Sequence, residues 1–321
     1  MNKVAMLFLA ALAAVAGCSS SDSGTGGSAG TGGVGGGGAT GGAGGDPRAC
    51  ASDIDVGEVQ AFGDPTPTRT EGLVFAADGT LYVSAQDNDG PDQLLEVSLD
   101  GSNESVAEAE SLLGLESHSS GILAAGIRTA NLLLIDPSDG SNDEIATGLG
   151  EPNFVVNTPW GTTLVSDDRP DLGSILEVTS EGAVSTWSDG VPTPNGMVFS
   201  LDGSTLYVAA TFQEAGLWRI PVSDRTAGTA EKWVAYDTSA PDGVAIDSEG
   251  NVYVALNTAG QIAKVDAEGN SSMLADDFPP RTGPASIAFG QGEFDPCSLY
   301  VTSLFTTQMY RVGTGVLGVE K

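Results

Sequence analysis

The sequence predicts an all-β chain folded as a six-bladed β-propeller, closed by an N-terminal strand that joins the last blade. Three observations predict it. Short hydrophobic strands alternate with polar, Gly-containing turns throughout the chain after residue 46. These strands fall into groups that recur at intervals of 33 to 49 residues, and a residue in a fixed register heads each group. The first group is preceded by an extra strand, whereas the last group has one strand too few. Four short strands per repeat of about 40 to 50 residues is the pattern of a propeller blade, which buries its faces only against neighbouring copies.

The chain opens with MNKVAMLFLAALAAVAGC, in which one Lys precedes an apolar run from Val4 to Val15 and then Val15-Ala16-Gly17-Cys18. That is a secretion signal in form, too short for a membrane span. Its last four residues resemble the lipobox of bacterial lipoproteins, so residues 1–17 are expected to be removed and Cys18 to carry lipid. Residues 18–46 form a tether, since Ser19 to Gly45 is almost entirely Gly, Ser, Thr and Ala and cannot bury apolar surface. Random-coil scaling gives it a span of roughly 30 Å. The expected setting is a membrane-anchored lipoprotein on the periplasmic or cell-surface side, touching the membrane only through Cys18, with residues 47–321 folded outside it.

The formal net charge is -31, from 43 acidic against 12 basic residues. Such a surface is repelled by nucleic acid and by anionic lipid, which excludes nucleic-acid partners. No Gly-rich stretch follows a strand and opens a helix, so no nucleotide site is expected. A monomer acting on a small-molecule substrate is the simplest expectation.

Within the folded part, the group heads fall at Glu71, Ser120, Asn153, Asn195, Asp242 and Ala285. Each is followed by an apolar inner strand, namely GLVF, GILA, FVV, GMVF, GVAI and SIAF. The second strands read TLYVS, NLLLI, TTLVS, TLYVA, NVYVA and SLYVT, and their tyrosines, Tyr82, Tyr207, Tyr253 and Tyr300, suit packing between blades. Turns such as Asp100-Gly101, Asp139-Gly140, Glu181-Gly182 and Glu268-Gly269 close a second hairpin. The strand at 56–62, VGEVQAF, is expected to supply the missing outer strand of blade six and so remove an open sheet edge. Cys50 precedes that strand and Cys297 begins the second strand of blade six. Because the second and fourth strands of a blade run the same way, both thiols should lie on one face and form a disulfide in an oxidising compartment.

Inner strands line the central channel of a propeller, so the six heads converge on one face as a ring. Glu71, Asn153, Asn195 and Asp242 offer oxygen atoms, Ser120 a hydroxyl and Ala285 nothing. Two carboxylates and two amide oxygens suit a hard divalent cation, calcium above all, whereas zinc would recruit His or Cys. Taken singly, Asn-Gly and Asp-Gly are ordinary turn formers. Four polar heads in one register argue for a site.

The pattern Glu71-Gly72, Pro152-Asn153, Pro194-Asn195-Gly196 and Pro241-Asp242-Gly243 resembles the gluconolactonase/regucalcin (senescence-marker protein) family, and the resemblance covers about residues 51 to 312. Similar rings occur in the paraoxonases and diisopropylfluorophosphatase. The resemblance implies that Glu71, Asn195 and Asp242 ligate a divalent cation, that Asn153 helps hold metal, water or substrate, and that Asp242 is also the catalytic base. Two departures stand out: Phe154 where the family often has Asp, and Glu151 where its sugar-lactone branch often has Arg. An acid at 151 disfavours sugar acids. Strand ends at Gln86, Asp87, Asp167, Asp168, Thr211, Phe212 and Asn257 are expected to form the substrate rim.

His118, the only histidine, lies two residues before Ser120 near the expected mouth. Paraoxonases carry a His at the head of their second blade, which makes His118 the competing catalytic base; a solvated loop histidine is the plain alternative. The expected activity is metal-dependent hydrolysis of lactones or related esters at the channel mouth. A non-catalytic binding propeller with a structural metal ion is the alternative, and the unequal heads favour the enzyme.

Overall fold

A computed structural model describes residues 50, 52–170 and 173–319. The expected signal, the expected lipidation at Cys18 and the expected tether lie outside the described residues. Six small antiparallel sheets follow one another along the chain. Their inner strands are Arg69–Phe75, Leu115–His118, Pro152–Asn157, Pro194–Phe199, Pro241–Ile246 and Pro284–Phe289. In blades one to five the next strands are laid outward in sequence order, because a tight turn can only return the chain antiparallel beside the strand it has just left. The turn at Asp202-Gly203 illustrates the chemistry: Gly203 takes φ 70°, and the Asp202 carboxylate accepts from Ser204 N at 3.0 Å.

Each blade is sandwiched between two others, so its middle strands are buried on both faces, as Leu81–Gln86 and Ser298–Ser303 are throughout. The hydrophobic core is correspondingly divided into clusters that each bridge two neighbouring blades. One joins blade six to blade one, where Phe75, Leu81 and Val83 pack on Phe294, Tyr300 and Met309. Tyr82, Tyr253 and Tyr300 sit in these seams as expected, and Tyr207 flanks another, stacked on Trp233 at 5.2 Å.

Closure follows the expected route. Val59–Phe62 pairs antiparallel with Met309–Gly313, from Val59 opposite Val312 to Phe62 opposite Met309, completing the blade that the C-terminal strands leave one short. Phe62 then packs edge-on against Tyr300, centroids 5.0 Å apart. Cys50 and Cys297 are joined across 247 residues of sequence with a Cα separation of 5.7 Å.

Blade two departs from the sequence reading. Its inner strand is Leu115–His118, and GILAAG at Gly121–Gly126 is its second strand, with Asn131–Ile135 the third. The head of this blade is therefore Leu113, which lies 42 residues after Glu71 and 40 before Asn153. Ser120 occupies the turn at the other end of the strand.

Breaking the closure should be costly. A cross-link over a loop this long stabilises by up to about 5 kcal/mol in the chain-entropy model. Calorimetry of Cys50→Ser is expected to show a clearly lower Tm than wild type, and reductant should lower the wild type to the same value while leaving the variant unchanged.

Candidate active site in the channel mouth

The heads reach the channel through a local distortion repeated in five blades. The ladder between first and second strands slips at Thr70/Leu73, Pro152/Val155, Pro194/Met197, Pro241/Val244 and Pro284/Ile287. The first of the two residues inside each slip is the head: Glu71, Asn153, Asn195, Asp242 or Ala285. A bulge of this kind re-aims a side chain that a regular ladder would hold in alternation. Buried hydroxyls on the second strand tie it down. Ser84 Oγ accepts from Gly72 N at 2.8 Å and donates to Leu113 O at 2.7 Å, so one hydroxyl fixes its own bulge and the head of the next blade. Ser166 accepts from Phe154 N in blade three, and Thr302 accepts from Ser286 N and donates to Glu71 O, linking blade six back to blade one.

Glycine after the head has a steric reason. A Cβ on Gly72 would lie 1.9 Å from Leu113 O, and one on Gly243 would lie 2.5 Å from Ala285 O. Head carbonyls of successive blades therefore pack against the preceding Gly, which brings the heads around one ring.

Behind the ring stands a second tier, at the last residue of the second strand in blade one and one residue beyond it in blades three, four and five. Gln86 Nε2 donates to Glu71 Oε2 at 2.8 Å, Asn153 Nδ2 to Asp168 Oδ2 at 2.9 Å, Asn195 Nδ2 to Thr211 Oγ1 at 3.1 Å, and Asn257 Nδ2 to Asp242 Oδ2 at 3.2 Å. Each polar head thus has a partner 15 or 16 residues downstream. Four of the expected rim residues are in this tier. The other three are not. Asp167 alternates to the other side of its strand, where it is fully buried and bound by Arg169 and by Glu151 N. Asp87 is half-buried and accepts from Asp89 N within its own loop. Phe212, also half-buried, is held through its N–H to Thr193 Oγ1.

His118 does not join the ring. It is exposed, pairs with Gly121 at the far end of its strand, and accepts from Ser120 N at 3.1 Å through Nδ1. It borders a surface cavity shared with Asp78, Asp136 and Ser138, all on turns of the face opposite the ring. Five residues of strand from Leu113 place it roughly 16 Å away along the channel axis. The expectation of a histidine at the mouth followed from misplacing the head of blade two.

Burial and mutual repulsion outweigh the compensating contacts of the ring carboxylates. Asp242 is 4% exposed and Glu71 keeps only partial exposure. Burial, then the charge of Asp242, pushes Glu71 well above the usual carboxylate range, against the opposing pull of Arg69 and Gln86. Burial, then the charge of Asp168, does the same to Asp242, against its bonds from Asn257 and Asn195. Asp168 is pushed up to about 7, mainly by burial. Two of the three buried side-chain atoms without a hydrogen-bond partner among the described residues, Asn195 Oδ1 and Asn257 Oδ1, are also here. Buried carboxylates beside an unpartnered amide oxygen are what a hard cation would satisfy. Among the described residues no three His, Cys, Asp or Glu side chains gather as a ligand group by themselves, so the amide oxygens are essential to such a site.

Below the ring the channel becomes an apolar cavity of about 420 Å³. Leu73, Phe75, Phe154, Met197 and Val244 line it, and Val319 and Gln291 border it at the lower end. Phe154 also packs in the seam between blades three and four, so the residue that departs from the expected Asp belongs to an apolar wall.

Together these features define a six-bladed propeller with a polar site on its channel axis, built from a head and its partner in four of the blades. The chain belongs to the SMP-30/gluconolactonase/LRE-like family, whose model matches residues 69–305. It is similar to the pentonolactonase XacC of Haloferax volcanii, with 29% identity over 51% of this chain and 58% of that protein. Regucalcin of Xenopus laevis is 27% identical over 44% of this chain and 49% of its own length. The chain thus matches about half the length of these curated relatives. The fold is shared with a calcium-binding regucalcin from Agrobacterium tumefaciens, at TM-score 0.64 and 23% identity over 80% of this chain and 94% of that one. A gluconolactonase from Xanthomonas campestris gives TM-score 0.65 at 19% identity, covering 83% and 98%.

The raised carboxyl groups fix the sign of a pH effect. A group whose folded pKa exceeds its unfolded value, about 4 for Asp and Glu, supports folding at acid pH and loses that support as pH rises through the folded value. In chelator, Glu71→Gln should therefore melt higher than wild type at pH 8, with the difference vanishing near pH 4. Scanning calorimetry that finds the variant less stable at pH 8 would remove the repulsion from the ring.

Proposed function

We propose that the protein is a metal-dependent hydrolase of lactones or related esters, working at the mouth of the propeller channel. The observation that carries this reading is the gathering of half-buried Glu71 and buried Asp242, whose charged forms burial and mutual repulsion disfavour, with the unpartnered Asn195 Oδ1. Family membership supports it, as do relatives named for lactonase activity. Glu71, Asn195 and Asp242, with Asn153, would hold a divalent cation, calcium by the hardness of the donors, and its charge would stabilise the oxygen that turns negative during ester cleavage.

The chain's own groups supply the rest. Asp242, held at Oδ2 by Asn257, takes a proton from the attacking water as the water oxygen bonds to the carbonyl carbon. The ring C–O bond then breaks, and the proton passes to the departing alkoxide, leaving a hydroxy acid. Asn153 and Asp168, joined to each other, face the same mouth and orient the substrate. Glu151, exposed beside them, and the apolar Phe154 favour neutral lactones over sugar acids, because an anion would meet a further carboxylate.

A metal-loaded protein assayed on a panel of lactones and aryl esters tests the proposal. Asp242→Asn is expected to lose turnover by at least ~10²-fold while remaining folded, and His118→Ala to stay within about twofold of wild type, since it lies on the opposite face. Undiminished hydrolysis by Asp242→Asn would refute the base assignment. A wild-type protein that binds cations but hydrolyses nothing on the panel would favour a binding propeller.

A further inference from the structure

Blade six offers the ring only Ala285. Beside that gap stands Asn257, which opens a 3-10 turn over Asn257–Ala259 and is 2% exposed. Its backbone is fixed by Asn257 N donating to Ala240 O at 2.9 Å. Its amide is fixed as well: Nδ2 faces Asp242 Oδ2 at 3.2 Å, Gly283 O at 3.3 Å and Pro284 O at 3.3 Å. Turning the amide over would set its oxygen against three other oxygens, so the nitrogen belongs where it is.

Oδ1 is consequently held one amide width from an atom bonded to Asp242, buried and without a donor. Its counterparts in the second tier have no such surplus. The Thr211 hydroxyl, for example, accepts from Asn195 and donates to Pro241 O at 2.8 Å. A strut for Asp242 requires only the nitrogen. An unpartnered buried acceptor is costly, and nothing in the packing of blade five repays it.

We propose that Asn257 Oδ1 is a further oxygen donor to the cation site, filling the place that blade six leaves empty. This rests on reading the ring as a cation site. Hard cations take six to eight oxygens, more than four heads provide, and a neutral amide adds a donor without adding to the repulsion between Glu71, Asp168 and Asp242.

The test is calcium titration of the folded domain by calorimetry, with the calcium-induced rise in Tm as a second readout, for wild type, Asn257→Leu and Asn257→Asp. Asn257→Leu should bind at least tenfold more weakly, with an unchanged circular dichroism spectrum. Asn257→Asp loses the Nδ2 bond to Asp242 yet keeps an oxygen in place. It should bind at least as tightly as wild type, with a lower metal-free Tm and a larger rise on adding calcium. If Asn257 were merely a strut, Asn257→Asp would bind as weakly as Asn257→Leu, and that result overturns the proposal. Wild-type affinity in Asn257→Leu overturns it too, while leaving the ring intact. Failure of the wild type to bind calcium, manganese or magnesium would instead overturn the ring reading, and this proposal with it.

Discussion

The structure depends on the slipped ladder at the top of five of its six inner strands. A regular strand alternates its side chains between two faces, and in a propeller both faces of a blade are claimed by neighbouring blades. Without the bulge, Glu71, Asn195 and Asp242 would be driven into apolar seams, where an unpaired carboxylate is prohibitive. The slip turns one residue per blade onto the axis and returns the strand at once to the packing register of Leu73, Met197 and Val244. Blades one, three and six hold the slip with Ser84, Ser166 and Thr302. Blades four and five carry Ala209 and Ala255 at the equivalent positions, and there Thr211 and Asn257 make the link to the next blade.

From that constraint follows the inequality of the ring. Polar heads occur where a polar second-tier partner exists, in blades one, three, four and five; Leu113 and Ala285 complete the circle without chemistry. The polar arc gathers carboxylates whose mutual repulsion and burial disfavour their charged forms. A scaffold selected for stability alone would have put small apolar residues there, as blade six does. The cost is concentrated in the one layer of the channel where a ligand can repay it, while the layer beneath is an apolar cavity lined by Phe75, Met197 and Phe289.

Much of this was legible in the residues. Alternating strands, acidic turns and the displaced first strand gave the blade count and the closure, because each rests on local chemistry and on simple bookkeeping of sheet edges. The two cysteines paired as expected once both were placed on one face of blade six. Blade two misled for a physical reason: GILAAG is the more strand-like segment, whereas the true inner strand, LESH, is short and contains Glu116. The dipeptide Leu113-Gly114 carried the correct register, but an apolar head gives no polar signal to find. The sorting of the strand ends was also out of reach. Asp167 and Asp168 are adjacent and chemically alike, and only the pleat decides that one meets Asn153 while the other is locked to Arg169.

The cystine has a directional consequence. Cys297 lies where the second strand of blade six leaves the lower face, and Val59 begins the closing strand at that same level, opposite Val312. Cys50 is therefore pinned on the side of the domain remote from Glu71 and Asp242. The cystine works as a staple at the closed end of the sheet: it holds the closing strand to blade six without placing a covalent restraint at the opening beside Glu71 and Asp242.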